Sequence, residues 1–328
     1  MYVNGTSMLF SRFQDEDEVL LDKILKEEYV AEKAYLDLDE YLDLREFRRM
    51  DRFSILAILG VKKLLDDCIW TVADEFNTAT ILNTSYGPIE TNLDFVSSIH
   101  DKKEGTVSPI VFSHTVNNAS LGHICKKYKI KGASTLLLSS NNIGVANSLL
   151  DAYKAKQVLI IGMDQYCQEI NKYFNQNSIN VTEMVATLSL AGKRNENTFC
   201  KILGGSIGNL GGHPFFGDEN LRSDFIETIM NQALYNSQIC SEKVQYVFIS
   251  SANKSIEEIE RKYIEKINPS AIVINLYHSV GETFGATLNL GVIIATIICK
   301  TNKIMQDQFC MINSFDISGN YISYIVGK

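Results

Sequence analysis

Lys131-Gly132-Ala133-Ser134-Thr135-Leu136-Leu137-Leu138-Ser139-Ser140-Asn141-Asn142-Ile143-Gly144 is the stretch on which the fold turns. It reads as a buried apolar strand that turns sharply into a helix of small residues. A turn of this kind sets one side chain at a helix N-terminus, where free N–H groups and the helix dipole favour a nucleophile or an anion. The residue at that point is Asn141, and an amide is not a nucleophile.

Working outward, the rest of the chain alternates strands with helices. Met1 to Phe10, Ala79 to Leu82, Val158 to Gly162, Val185 to Leu190, Phe199 to Leu203, Val244 to Ile249, Ala271 to Leu276 and Tyr321 to Val326 read as strands. Thr91 to His100, Asn118 to Tyr128, Gly144 to Ala155, Phe225 to Tyr235, Ser255 to Lys266 and Gly285 to Cys299 read as helices, and Asp15 to Asp66 is helix-rich. Such alternation predicts an α/β fold with helices over a mixed sheet. The pattern recurs once near residues 190–200, which predicts an N-terminal half, 1–190, and a C-terminal half, 191–328, packed as one unit.

With 328 residues, 45% of them apolar, the chain can bury a large core. A formal charge of -8 without a basic stripe argues against nucleic acid or an anionic membrane as partner. The acidic run Asp15-Glu16-Asp17-Glu18 reads as a solvated face. The start has neither a basic nor a long apolar segment, so no signal peptide is expected, and no apolar run is long enough to span a bilayer. Seven scattered cysteines without C-x-x-C spacing predict reduced thiols, no zinc site and a cytoplasmic setting.

Six short motifs, in order, resemble those of the β-ketoacyl synthases. They are Arg48-Arg49-Met50-Asp51-Arg52-Phe53-Ser54, Pro109 to Phe112 with Val116 to Ala119 and Gly122-His123, the stretch from Lys131, Lys201 to Gly205, Val280-Gly281-Glu282-Thr283 with Gly285-Ala286, and Asn313-Ser314-Phe315 with Ser318-Gly319. The resemblance covers nearly the whole chain. It implies a thiolase-like fold of two similar α/β halves, each with a mixed five-stranded sheet, in α-β-α-β-α layers.

The resemblance also locates what is missing. The family's condensation uses a thiolate to hold the acyl chain and two imidazoles to act on malonyl. Its cysteine position falls on Asn141, its first histidine on Ser250 or Ser251, its second on Glu282 and its lysine on Tyr277. The glycine-rich C-terminal loop is reduced to Asp316-Ile317-Ser318-Gly319. The stretches Gly162 to Val185 and Lys300 to Asn313 are short for the family.

This set of losses resembles the inactive chain length factor branch of type II polyketide synthases. That resemblance implies no catalysis by the chain alone, no cofactor, an active ketosynthase as heterodimer partner, and contact with acyl carrier protein mainly through that partner. It implies an interface strand at Ser134, Leu136, Leu137, Leu138 and Ser140. A tunnel border is implied at Phe112, Val116, Asn117 and Ser120. Two alternatives remain at this level: altered chemistry on the same fold, as a decarboxylase or as an acyltransferase using Ser139 or Ser140 with His278, and a homodimeric scaffold.

The remaining conspicuous residues have plainer readings. Asn141 reads as a helix cap, His123 as a core histidine, His213 as a loop residue and Gly204 to Gly208 as a β-turn. Arg48, Arg49 and Arg52 read as ion-pair partners of the nearby acidic helix.

Overall fold

The computed structural model describes residues 1–11, 17–41, 44–68, 74–101, 108–138, 141–196, 198–215 and 223–328. Within them the strands are β1 Tyr2–Leu9, β2 Thr78–Asn83, β3 Ser134–Leu137, β4 Gln157–Asp164, β5 Met184–Ala191, β6 Cys200–Asn209, β7 Val244–Ile249, β8 Ile272–Asn275, β9 Phe309–Phe315 and β10 Asn320–Gly327. The helices are α1 Asp17–Leu25, α2 Arg52–Cys68, α3 Ile89–Asp101, α4 Pro109–His114, α5 Ala119–Lys127, α6 Asn142–Asp151, α7 Gln168–Gln176, α8 Ser223–Ser237, α9 Lys254–Ile267, α10 Leu276–Val280 and α11 Thr287–Lys300.

The strand order is β3-β2-β4-β5-β1-β6-β10-β9-β7-β8. Each half uses one connectivity: the third strand at the edge, then the second, fourth, fifth and first. In both halves the outer three strands run parallel and the remaining pairings are antiparallel. The halves meet where Tyr2 and Val3 of β1 pair with Lys201 and Cys200 of β6. The topology is that of the thiolase-like α/β class.

Helix α11 forms the centre. Its residues Thr287 to Cys299 are all buried, and it packs on β4, β5 and β1 of one half and on β9 and β10 of the other. Seven β-branched residues are poor helix formers, but burial on every side outweighs propensity. Helix α6 packs beside it on β2 and β4, α2 and α5 cover the outer face of the first sheet, and α8 covers that of the second. The order of layers is therefore helix, sheet, helix, sheet, helix.

Several local expectations change. Gly204 to Gly208 lies inside β6 rather than in a turn, and Asn313-Ser314-Phe315 forms the end of β9. The segment read as helix-rich before Asp66 holds α1, two 3-10 turns at Leu38–Glu40 and Leu44–Phe47, and α2. Helices α4 and α7 add to the elements read above from periodicity. Ser108 starts α4 as its N-cap, with Pro109 at the first helical position.

Candidate functional site

Ligand sites in α/β sheets form beyond the C-terminal ends of parallel strands. Here Asn141 follows β3, Ser250 follows β7, Tyr277 and Glu282 follow β8, and Asp316 follows β9. The positions that the resemblance aligns with catalytic groups thus lie just past such ends. Asn141 and Glu282 also precede the two central helices, α6 and α11. The side chains of Asn142 and Asn289 join those helices by a 2.9 Å hydrogen bond.

Asn141 occupies the N-cap of α6, but its side chain makes no cap hydrogen bond, and its buried Oδ1 has no hydrogen-bond partner among the described residues. The expected cap is therefore absent. Ser250 donates to the Asn313 carbonyl at 3.1 Å, and Ser251 donates to the Asn253 carbonyl. Asn253 in turn caps α9 by accepting from the N–H groups of Ser255 and Ile256. Ser139 and Ser140 lie outside the described residues. His278 is engaged with Glu27 at 3.0 Å and Glu257 at 3.3 Å.

Glu282 and Tyr277 hold the chain that leaves α7. The Glu282 N–H donates to the Asn180 carbonyl at 2.7 Å, and its carbonyl accepts from Thr182 N–H at 2.9 Å. The Tyr277 hydroxyl accepts from Asn180 N–H and donates to the Ser178 carbonyl. The Glu282 carboxyl accepts from Phe284 N–H at 2.7 Å and from the Thr287 hydroxyl at 3.3 Å. Burial raises its pKa to about 7, and those hydrogen bonds only partly oppose the rise.

An aromatic cluster packs between the same strand ends. Phe284 meets Phe174 and Tyr86 at ring-centre distances of 5.1 Å each, and Phe215 touches Phe174 at 5.5 Å. Ala252, Tyr277 and Ile317 pack against this group. Phe284 has a φ of 49°, a left-handed conformation costly for a bulky residue. The adjacent Gly285 is required by space, since a Cβ there would lie 2.7 Å from Thr84 Cα.

That close approach completes a carboxylate nest missed by the sequence reading. Asp164 accepts from the Thr84 hydroxyl at 2.6 Å and from the N–H groups of Ser85, Tyr86 and Gly285 at 2.8 to 2.9 Å. Burial pushes its carboxyl up, against the pull of these donors. It ties β2, β4 and the start of α11 together.

The two edge strands differ. Thr80 and Thr84 N–H groups donate to the carbonyls of Ala133 and Leu137, so alternate residues of β3 face β2. Ser134 and Leu136 face outward, and among the described residues no hydrogen bond reaches their main chain. Ser134 and Leu138 are exposed, and Leu136 and Leu137 are half-buried. A groove of about 460 Å³ lies beside them, lined by Asn118, Leu121, Gly122, Cys125, Ser134 and Leu136. Exposed Val96, Ile99, Ile110, Phe112 and Val116 extend an apolar surface over α3 and α4. Asn117 is half-buried against the turn at Gly87, and Ser120 is buried with its hydroxyl on the Asn117 carbonyl. His123 is half-buried and stacks on His114 with ring centres 5.6 Å apart.

No family model matches the chain. A curated 3-oxoacyl-acyl-carrier-protein synthase 2 of Rhizobium meliloti (strain 1021) is 22% identical over 117 residues. The match spans 35% of this chain and 28% of that protein. Among solved structures, the ishigamide ketosynthase/chain length factor superposes with a TM-score of 0.84 at 14% identity, covering 99% of this chain and 98% of that one. The chain has the ketosynthase fold. The ketosynthase ApeO in complex with its chain length factor ApeC, from Xenorhabdus doucetiae, gives 0.75 at 13% identity, over 99% and 97%. A type II PKS acyl-carrier protein in complex with its ketosynthase, AntDE:AntF, gives 0.80 at 16%, over 99% and 98%. At these identities the likeness is one of fold. Among the described residues no helix is long and apolar enough to cross a membrane, and no group of His, Cys, Asp and Glu is placed to hold a metal ion.

The buried carboxyls set a pH dependence. Glu282 and Glu260 have pKa values raised by burial to about 7 and about 8, from 4.5. Each keeps its proton in the folded state at pH values where the unfolded chain has lost it. The stabilisation is fully present below about pH 4.5, falls as pH rises through the folded values, and is level above them. Glu282→Gln should remove on the order of 3 kcal/mol of that fall. Urea midpoints at pH 5 and pH 8.5 measure it; an equal fall in wild type and variant would refute the assignment.

Proposed function

We propose that the chain is a non-catalytic, ketosynthase-like chain length factor. It pairs through β3 with an active ketosynthase and shapes the acyl or polyketide tunnel of a type II polyketide synthase. Acyl carrier protein meets the complex mainly through the partner. The observation that carries this reading is the commitment of both side chains to the protein's own chain: the Tyr277 hydroxyl to Asn180 N–H and the Ser178 carbonyl, and the Glu282 carboxyl to Phe284 N–H and the Thr287 hydroxyl. Groups committed to holding the chain are not free to move protons on a substrate, and Asn141 offers no nucleophile. The fold's likeness to structures containing chain length factors supports the pairing, as does the open edge of β3.

Catalytic silence is tested by incubating the purified chain with acyl-carrier thioesters and measuring its intact mass. No acyl adduct is expected. An adduct would favour the serine acyltransferase reading.

Tunnel shaping is read from product length. Phe112 and Val116 are exposed around α4, whereas Ser120 is buried and donates to the Asn117 carbonyl. Phe112→Ala enlarges the space offered to a growing chain without touching the buried core. The reconstituted synthase should then release longer or more dispersed products, as measured by mass spectrometry. An unchanged length distribution from an intact complex would move the tunnel border away from Phe112.

A further inference from the structure

Strand β8 holds the same place in the second half that β3 holds in the first. Its outer edge is dressed differently. Arg261 Nη1 donates to the Val273 carbonyl at 3.2 Å, and Glu27 Oε1 accepts from Asn275 N–H at 2.6 Å. Arg261 Nη2 donates to the same Glu27 oxygen at 2.8 Å. In a parallel ladder, one residue of a neighbouring strand donates its N–H to residue j and accepts from the N–H of residue j+2. The ion pair makes that bond pattern on residues 273 and 275.

We propose that the Glu27–Arg261 pair stands in for one residue of a neighbouring strand and guards the edge of β8 against pairing with a second copy of this chain. The position needs a guard: β8 is short, apolar, and exposes Ile272 at its start. Further contacts fix the pair. Arg261 Nε bonds Glu257 at 2.8 Å, and His278 bridges Glu27 and Glu257. Glu27 adopts a left-handed φ of 55° just after α1, a place where glycine is the relaxed choice. Glycine there would have no carboxylate to offer. The guard confines edge pairing to β3 and stands independently of what β3 binds.

The test is Glu27→Ala with Arg261→Ala in the purified full chain, with folding checked by circular dichroism. Light scattering after size exclusion should show a mass that rises with concentration above that of the wild type. Hydrogen exchange at the Asn275 amide should speed up in dilute samples. Adding Ile272→Lys should abolish the new association, and adding Leu136→Pro at the β3 edge should leave it intact. A mass equal to wild type, with or without faster exchange, overturns the guard. Reversal by Leu136→Pro but not by Ile272→Lys also overturns it, while leaving the β3 reading in place. If the double variant does not fold, Arg261→Met keeps the aliphatic stem and bares the Val273 carbonyl. The same upward shift in mass is then required, and its absence overturns the proposal.

Discussion

Leu136→Pro is expected to leave the chain folded and to cost it the ketosynthase partner proposed above. The bonds between β3 and β2 run through the carbonyls of Ala133 and Leu137, so the Leu136 N–H points away from the sheet. Proline removes that outward donor, and its ring occupies the space an incoming strand would fill. The side chain is half-buried against the outer cluster around Leu121 and Ile124, so the lost packing within the chain is modest. At the interface the missing hydrogen bond and the obstructing ring together remove about 3 kcal/mol, roughly a hundredfold in affinity. Co-purification followed by titration of the partner measures this. A folded variant that binds with undiminished affinity would place the contact elsewhere.

The two strand edges show what a sequence discloses and what it withholds. Ser134 to Leu138 reads as a strand from its β-branched and apolar content, and the following small residues mark the turn. The β-branched run of β4 and the apolar length of α11 are equally legible, because burial on both faces demands continuous apolar sequence. Nothing local to Ile272-Val273-Ile274 says that its edge is covered. The covering residues come from positions 27 and 261, and a contact at that separation leaves no periodic trace.

The glycines of β6 fail for a related reason. Gly204-Gly205-Ser206-Ile207-Gly208 has the composition of a turn, yet its glycines serve packing. A Cβ at Gly205 would lie 2.3 Å from the Tyr324 ring, and one at Gly208 would lie 2.7 Å from Ile229. A close approach and a turn select the same residue type, and only the opposing surface tells them apart. Helix α7 hid in a polar stretch whose one fully buried residue is Phe174.

At the candidate site the residue types are legible in the sequence, but their contacts are not. Asparagine, serine and glutamate at the positions that the resemblance aligns with a condensing enzyme's cysteine and histidines carry the proposal that this chemistry is absent. That Tyr277 and Glu282 then grip residues 178–182 follows from backbone hydrogen bonds, which residue identity does not specify. The cluster of Phe174, Phe215, Tyr86 and Phe284 is likewise drawn from four separate segments.

Arg52 gives the largest stability effect and the clearest long-range pairing. Its expected partners were on the nearby acidic helix; its actual partner is Glu183, at the start of β5. Glu183 Oε1 accepts from Arg52 Nε at 3.0 Å and from Tyr166 N–H at 2.8 Å. Oε2 accepts from Leu36 N–H at 2.7 Å and from Arg52 Nη2 at 2.5 Å. Arg52 Nη2 also donates to the Leu36 carbonyl at 2.6 Å. One carboxylate with 0% side-chain exposure thus joins the segment before α2, the first turn of α2 and the loop between β4 and α7. Replacing both charges with apolar residues of similar volume could cost little, because the desolvation of the pair would be avoided. Removing one is different. Glu183→Ala leaves a partly buried guanidinium and two N–H donors without their acceptor, for an expected loss of roughly 3–5 kcal/mol. Glu183→Gln keeps an acceptor oxygen and should lose less. Urea unfolding of the three proteins at pH 7 gives the comparison. An alanine variant within 1 kcal/mol of wild type, about the size of one ordinary hydrogen bond, would mean that water replaces the carboxylate and that the junction does not depend on it.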